Sequence, residues 1–260
     1  MIELFERAAL AAGRDIMDVF HNGPTVRTKS DASPVTEADE RAEAIILAAL
    51  SAGFPTIPVI AEEAVAAGHM PETYDQPFIL VDPLDGTKEF IRKSQDFTVN
   101  IALIEKGVPV MGVVYAPARG TAYLGSANGA YRIEVDAAFQ PVSRRPIHVR
   151  QTGETVIAVA SRAHAGPETE AFLAQKAITD TRSVGSSLKF CLLAEGEADV
   201  YPRFGRTMEW DTAAGDAVLR AAGGMTVNLD GTPLLYGKRN QDHDSDFANP
   251  SFVAWGGRRE

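Results

Sequence analysis

The sequence predicts a mixed α+β and α/β fold in two lobes, and three observations carry that expectation. In the first half, two amphipathic helical patterns precede a series of paired β-rich runs, as expected for helices laid on an antiparallel sheet. In the second half, short strands and helices alternate, which implies an α/β layer. Two short apolar strands of the first half end in carboxylates, where core packing alone does not place charge.

Taken in order, Leu4, Phe5, Ala8, Ala9, Ala12, Ile16, Val19 and Phe20 recur at helical spacing and predict a helix ending before Asn22-Gly23-Pro24. A second helix follows, with apolar positions Ala42, Ile45, Ile46, Ala49 and Leu50, and Thr36 and Asp39 fit its N-cap. Residues 57–61 read as a strand ending in Glu62 and Glu63, and residues 64–74, with Gly68 and Pro71, as a mobile connection. The buried strand 78–81 stops at Asp82. Runs 97–104 and 108–115 form a hairpin, and 121–124 and 130–135 form a second pair. The Pro- and Arg-containing segment 141–146 is the expected boundary between an N-terminal lobe, 1–146, and a C-terminal lobe, 147–260, of one catalytic unit. Beyond it the pattern gives strand 155–160, helix 168–177, strand 181–184, helix 187–195, strand 198–201 and helix 210–222. A hairpin at 225–229 and 233–236 and a strand at 252–255 complete the chain.

Composition limits the function classes. With 260 residues, 45% of them hydrophobic, the chain can bury a sizeable core. No apolar run approaches the ~18–20 residues that span a bilayer, and the first residues lack a basic segment followed by a long apolar one, so no export signal is expected. The single Cys191 cannot form an intramolecular disulfide and reads as a buried thiol in a reducing cytoplasm. A formal charge of −10 argues against a nucleic-acid polymer as partner, and an anionic small substrate would need local cations. Cytoplasmic placement follows as the expectation; peripheral contact with the inner membrane and the choice between monomer and homodimer stay open.

The stretch Val81-Asp82-Pro83-Leu84-Asp85-Gly86-Thr87-Lys88-Glu89-Phe90 holds the chemistry. Pro83 has no N–H and a fixed φ, so Asp82 and Asp85 are expected off any regular ladder, presented from a rigid turn. Gly86 lets the backbone approach a ligand, and the helix start at Thr87 leaves amide groups free to face an anion. Read alone, Asp-x-x-Asp-Gly is also a turn with an Asx cap; two carboxylates beside an anion-accepting helix end suggest a metal-bridged phosphate site. Asp230-Gly231-Thr232 repeats the tripeptide without a second carboxylate and reads as a hairpin turn. Asp211, at another helix start, is by default an N-cap, but Ala213, Ala214 and Gly215 behind it allow close approach to a second backbone.

The 81–90 string resembles the metal-binding motif of the lithium-sensitive, magnesium-dependent phosphatases typified by inositol monophosphatase. With Lys-Glu-Phe after the Thr it is similar to the CysQ-type 3′(2′),5′-bisphosphate nucleotidases of that superfamily. The resemblance extends through Ser33-Pro34-Val35-Thr36 to Asp39, Glu62, Ser161-Arg162-Ala163-His164, residues 185–190, 201–205 and Trp210-Asp211. It implies a layered αβαβα sandwich of the inositol monophosphatase and fructose-1,6-bisphosphatase type. It further implies that Glu62, Asp82, the Leu84 carbonyl, Asp85 and Asp211 hold two or three magnesium ions, with Asp39 on a further ion or its water. Glu63 is expected behind these ligands or facing solvent. Like charges ~4 Å apart cost on the order of 4 kcal/mol per pair at an effective dielectric of 20, so such a cluster needs cations or protons. All-oxygen donors select magnesium over zinc.

By the same resemblance Thr87, with Asp39 and Glu62, positions the nucleophilic water, and Asp85, Gly86, Thr87, Ser161, His164, Ser186, Lys189 and Asp211 contact substrate. On residues alone, His164 also reads as a surface loop residue and Ser186 as a helix cap. The implied reaction is hydrolysis of the 3′-phosphate of adenosine 3′,5′-bisphosphate to AMP, with the sulfated nucleotide of sulfate assimilation as a further substrate. The alternatives are an inositol monophosphatase or broad sugar phosphatase with the same metal chemistry, and a non-catalytic acidic metal-binding module. Thr87 argues against the last, since a metal buffer needs no water-positioning hydroxyl.

Overall fold

The computed structural model describes residues 1–29, 33–73, 76–160 and 166–257. Helices α1 (Ile2–Asn22) and α2 (Glu37–Gly53) bury the apolar stripes that their spacing predicts, Phe5, Ala9 and Ile16 in the first and Ala42, Ile46 and Leu50 in the second. Between them β1 (Val26–Thr28) and β2 (Pro34–Thr36) pair antiparallel. α2 starts on a capping box: the Thr36 hydroxyl accepts from Ala38 N–H, and Asp39 accepts from Thr36 N–H at 2.8 Å.

Both helices cover one face of a seven-stranded sheet. Its strands run in the order β3 (Val59–Ala61), β4 (Phe78–Asp85), β5 (Thr98–Glu105), β6 (Val108–Ala116), β7 (Thr121–Ser126), β8 (Gly129–Val135) and β9 (Pro141–Ile147). Only β3 and β4 are parallel. Alternation sorts the side chains: Ile79, Val81, Val99, Ile101 and Leu103 face α1 and α2, while Phe78, Leu80, Ala102 and Ile104 face the opposite layer. Both faces are buried, which is why these strands read as continuous apolar runs. Short helices α3 (Glu62–Ala66) and α4 (Thr87–Ile91) follow β3 and β4 directly.

The second half of the chain supplies β10 (Ile157–Ala160), α5 (Pro167–Gln175), β11 (Asp180–Ser183), α6 (Leu188–Ala194), β12 (Val200–Arg203), β13 (Thr207–Met208), α7 (Glu209–Ala221), β14 (Met225–Asn228), β15 (Ala248–Asn249) and β16 (Phe252–Trp255). A five-stranded sheet, β11-β10-β12-β16-β14, is parallel across its first three strands and antiparallel beyond. Helices α6 and α7 are packed between its inner face (Val159, Tyr201, Phe252, Ala254) and the seven-stranded sheet. On its outer face Phe172 and Leu173 of α5 meet Ala158, Val200 and Val253. The result is helix, sheet, helix, sheet, helix.

Glycines set how closely α7 approaches the large sheet. A Cβ on Gly112 would lie 2.7 Å from Ala214 O, and one on Gly125 would lie 2.5 Å from Val218 Cα. Gly215 in turn leaves room for the Phe190 ring, 2.6 Å from where its Cβ would be. The small residues after Asp211 thus have the expected function of close packing.

Several elements differ from the sequence expectation. β4 does not stop at Asp82: Asp82 pairs with Asn100 and Asp85 with Thr98, so the ladder breaks only at Pro83 and Leu84 and then resumes. Glu62 and Glu63 open a helix instead of a wholly irregular connection. Segment 141–147 is the edge strand β9, exposed on six of seven residues and therefore without an apolar pattern to read. The hairpin after β14 closes on a single bridge, Val227 to Pro233, with Asp230 accepting from Thr232 in the turn. Cys191 is buried and free.

Candidate active site

The bulge in β4 places two carboxylates on one side of the strand end. Asp82, 1% exposed, accepts from Leu84 N–H at 3.0 Å. Burial pushes its carboxyl well above the ordinary range, and the charges of Glu62, Asp85 and Asp211 push it further. Asp85 is held from the loop before α6: its Oδ2 accepts from Ser187 N–H at 2.8 Å, and its carbonyl accepts from Ser186 Oγ at 2.6 Å. Gly86 has φ +97°, and a Cβ there would come within 3.1 Å of Asp96 O and 3.2 Å of Ser186 Oγ. Glycine is therefore required on both conformational and steric grounds.

Thr87 opens α4 and its hydroxyl donates to Asp39 Oδ1 at 3.0 Å, with Leu84 O 3.3 Å away as the other acceptor. Asp39 Oδ2 is taken by Thr36 N–H and Oγ1–H. Burial raises the Asp39 carboxyl, while these hydrogen bonds favour its ionised form. Asp39 is thus both the helix cap and the partner of Thr87.

Glu62 and Glu63 meet a residue to which the sequence reading assigned no role. Lys29 Nζ lies 2.7 Å from Glu62 Oε1 and 2.6 Å from Glu63 Oε1, its side chain only 12% exposed. Burial works to lower the Lys29 pKa, but the two glutamates outweigh it and raise it. Burial also lifts the Glu63 carboxyl, to about 7, against the pull of Lys29. Glu63 is an ion-pair partner, not a solvent-facing acid.

Asp211 sits in the first turn of α7 and accepts from Met208 N–H at 2.8 Å. Burial and then the charges of Asp85 and Glu62 hold its carboxyl well above the ordinary range. Glu62, Asp82, Asp85 and Asp211 therefore form one electrostatic group, and among the described residues only Glu62 has a cationic side chain paired with it. No three acidic, His or Cys side chains among the described residues are gathered tightly enough to be a ready-made cage; Asp82, Asp85 and Asp211 each accept from a backbone amide, and Glu62 pairs with Lys29. The donor set, four mutually repelling carboxylates beside the Leu84 carbonyl, fits a hard divalent cation such as magnesium.

A cavity opens beside Asp85 and Asp211, walled by Gly86, Glu89, Ser186, Lys189, Tyr201 and Arg203. Ser186 adopts φ +57°, unusual for a residue with a Cβ, and is held there by its bond to Asp85 O. Lys189 is 5% exposed, donates to Ser186 O at 2.7 Å and lies 5.3 Å from the Tyr201 ring centroid. Burial lowers its pKa to about 8, with Asp85 opposing. Arg203 escaped the sequence reading as a site residue; it ends β12 and donates to Gly205 O and Arg206 O. Its signal was an Arg inside the Tyr201-Pro202-Arg203-Phe204-Gly205 string. Ser161 and His164 lie outside the described residues.

A buried polar chain ties the halves of the site together. Thr98 donates to Asn100 Oδ1, Asn100 Nδ2 donates to Ser187 Oγ at 3.1 Å, and Ser187 Oγ donates to Asp211 O at 2.6 Å. The first turn of α7 is thereby registered against β5.

Two sheets interleaved with three helical layers, with Glu62, Asp82, Asp85 and Asp211 within electrostatic reach of one another, define a phosphatase of the inositol monophosphatase family. The chain belongs to that family, whose pattern matches residues 1–249, and members of the family are in general magnesium-dependent. Within the family it is similar to the 3′(2′),5′-bisphosphate nucleotidase CysQ of Escherichia coli strain K12, 42% identical over 97% of this chain and 98% of that protein. The Salmonella typhimurium CysQ is 43% identical over the same shares. Among solved structures, CysQ from Bacteroides thetaiotaomicron superposes with a TM-score of 0.79 at 38% identity, covering 99% of this chain and 97% of that one. An inositol monophosphatase from Anabaena (Nostoc) sp. PCC 7120 gives 0.75 at 27% identity, covering 98% and 90%. Among the described residues no helix is long and apolar enough to cross a membrane.

Proposed function

We propose that this phosphatase is a magnesium-dependent 3′(2′),5′-bisphosphate nucleotidase that hydrolyses the 3′-phosphate of adenosine 3′,5′-bisphosphate to AMP and phosphate. The observation that carries the reading is that one cavity is lined by charges of both signs, Asp85 and Asp211 with Lys189 and Arg203. A substrate with one phosphate needs only the metal end. Carboxylates that hold a metal for one phosphate and cations for a second suit a bisphosphate.

Glu62, Asp82, Asp85, Asp211 and the Leu84 carbonyl are the proposed magnesium ligands for two or three ions. Magnesium bound there neutralises the phosphate and acidifies water. The protein's own part is positioning. Because the Thr87 hydroxyl donates to Asp39, its oxygen is left to accept a proton of the attacking water and aim it at phosphorus. Asp39, desolvated and hydrogen-bonded, fixes the Thr87 rotamer, and Glu62 completes the set around the water. Gly86 keeps the floor clear of a side chain. Lys189, at the start of α6, and Arg203, at the end of β12, take the 5′-phosphate, and Ser186, whose carbonyl accepts from Lys189, shapes the loop before α6.

Ser161 and His164 are kept as nucleoside contacts on the resemblance alone. The reading includes action on the sulfated nucleotide, a cytoplasmic role in sulfur assimilation, inhibition by lithium, and two lobes divided near residue 146 that act as one unit. Phosphate release from adenosine 3′,5′-bisphosphate, inositol 1-phosphate and fructose 1,6-bisphosphate, with and without magnesium, tests it. Preference for inositol 1-phosphate would replace it with the monophosphatase reading.

A further inference from the structure

Glu89 has no part in the chemistry described so far, yet it lines the same cavity as Lys189 and Arg203. It stands on α4, two residues beyond Thr87. Among the described residues its carboxylate has neither a hydrogen bond nor an ion pair. Its stem is steered by packing: a Cβ on Gly185 would lie 3.2 Å from Glu89 Cγ, so the absence of a side chain at 185 is what lets Glu89 pass along the cavity wall. Its charge is felt at Lys189, whose protonated form it favours.

An unpaired carboxylate is costly in a cavity that must receive phosphates, because like charges repel in a partly desolvated site. It is useful there only where it meets a donor. An adenosine bisphosphate carries two kinds of donor, the base amino group and the ribose hydroxyl vicinal to the scissile phosphate. Glu89 lines the cavity together with Asp85, Gly86 and Asp211, so it belongs to the wall next to the reacting phosphate. The vicinal hydroxyl is the donor attached beside that phosphate.

We propose that Glu89 accepts a hydrogen bond from the ribose hydroxyl vicinal to the scissile phosphate, and that this contact makes the enzyme select ribonucleotide over deoxyribonucleotide bisphosphates. This rests on the nucleotidase reading. A site built to pair a hydroxyl discriminates against the analogue lacking it, since its own polar group is then left unpaired. The requirement for a carboxylate at this position follows from the same logic: a charged acceptor makes the stronger bond.

The test compares kcat/KM for adenosine 3′,5′-bisphosphate and 2′-deoxyadenosine 3′,5′-bisphosphate in saturating magnesium, for wild type, Glu89→Gln and Glu89→Ala. The wild type is expected to prefer the ribonucleotide by about tenfold to a hundredfold. Glu89→Ala should lower the ribonucleotide value by that factor and leave the deoxyribonucleotide unchanged or improved, so that the two converge; Glu89→Gln, which keeps a neutral acceptor, should fall between. An equal loss on both substrates would make Glu89 a partner of Lys189 instead, and overturn the proposal. A wild type active on both nucleotides without preference overturns it as well, leaving the nucleotidase reading intact. A wild type active on inositol 1-phosphate and on neither nucleotide overturns both. Should Glu89→Ala fail to fold by thermal melting, the wild-type preference and its reduction in Glu89→Gln decide the matter.

Discussion

Replacing Lys189 by Met should make the substrate-free protein more stable while weakening its hold on a bisphosphate. The ammonium is 5% exposed, and burial takes its pKa from an ordinary 10.5 to about 8. That difference corresponds to roughly 3 kcal/mol of destabilisation when the group is charged, at about 1.4 kcal/mol per pH unit. Losing the hydrogen bond to Ser186 O returns about 1 kcal/mol of it, so the net gain at neutral pH is on the order of 2 kcal/mol. The sign of the pH dependence follows from proton counts. Between about 8 and 10.5 the unfolded chain holds a proton that the folded one lacks, so this group's contribution to stability rises with pH through that window. Below it the penalty is complete. The advantage of Lys189→Met should therefore be greatest near pH 7 and fade toward pH 10, as measured by urea unfolding in chelator at both values. In parallel, KM for adenosine 3′,5′-bisphosphate should rise about tenfold or more, and KM for inositol 1-phosphate much less. A variant less stable than wild type near pH 7, or an advantage independent of pH, would refute the reasoning.

Asp85→Asn should abolish magnesium-dependent phosphate release yet leave the fold intact and no less stable in chelator, because one repulsive charge is removed while an acceptor for Ser187 N–H remains; undiminished turnover would sink the ligand assignment. Thr87→Val should lower kcat by roughly 10²–10⁴-fold with a small change in KM, whereas near-normal kcat with raised KM would make Thr87 a substrate contact instead. Gly112→Ala should cost roughly 1–3 kcal/mol in urea unfolding, because its Cβ would lie 2.7 Å from the Ala214 carbonyl. The same change should weaken magnesium half-saturation through displaced Asp211, and a neutral result would show that α7 is free to shift.

Much of this protein was determined by its sequence alone. The stripes of α1 and α2, the apolar runs of β4 to β8, the strand–helix alternation of the second half and the paired acids Asp82 and Asp85 at the end of an apolar strand follow from local chemistry, because side-chain periodicity and backbone restriction act over a few residues. The small residues Ala213, Ala214 and Gly215 even indicated that α7 packs closely against another backbone. What the tertiary structure decided was contact between residues distant in the chain. Lys29 meets Glu62 across 33 positions, and Asn100 reaches Ser187 across 87. β9 has no apolar pattern because it is an exposed edge, and pairs through its backbone with β8 regardless of its side chains. Asp82 and Asp85 were legible as acids, but that both remain in register with β5 around a bulge depends on the neighbouring strand. Glu89 and Arg203 are ordinary charged residues in the sequence; they become cavity walls only when the 185–187 loop meets the β4 terminus. No local pattern encodes that meeting, since it is set by the packing of two sheets against the shared layer of α6 and α7.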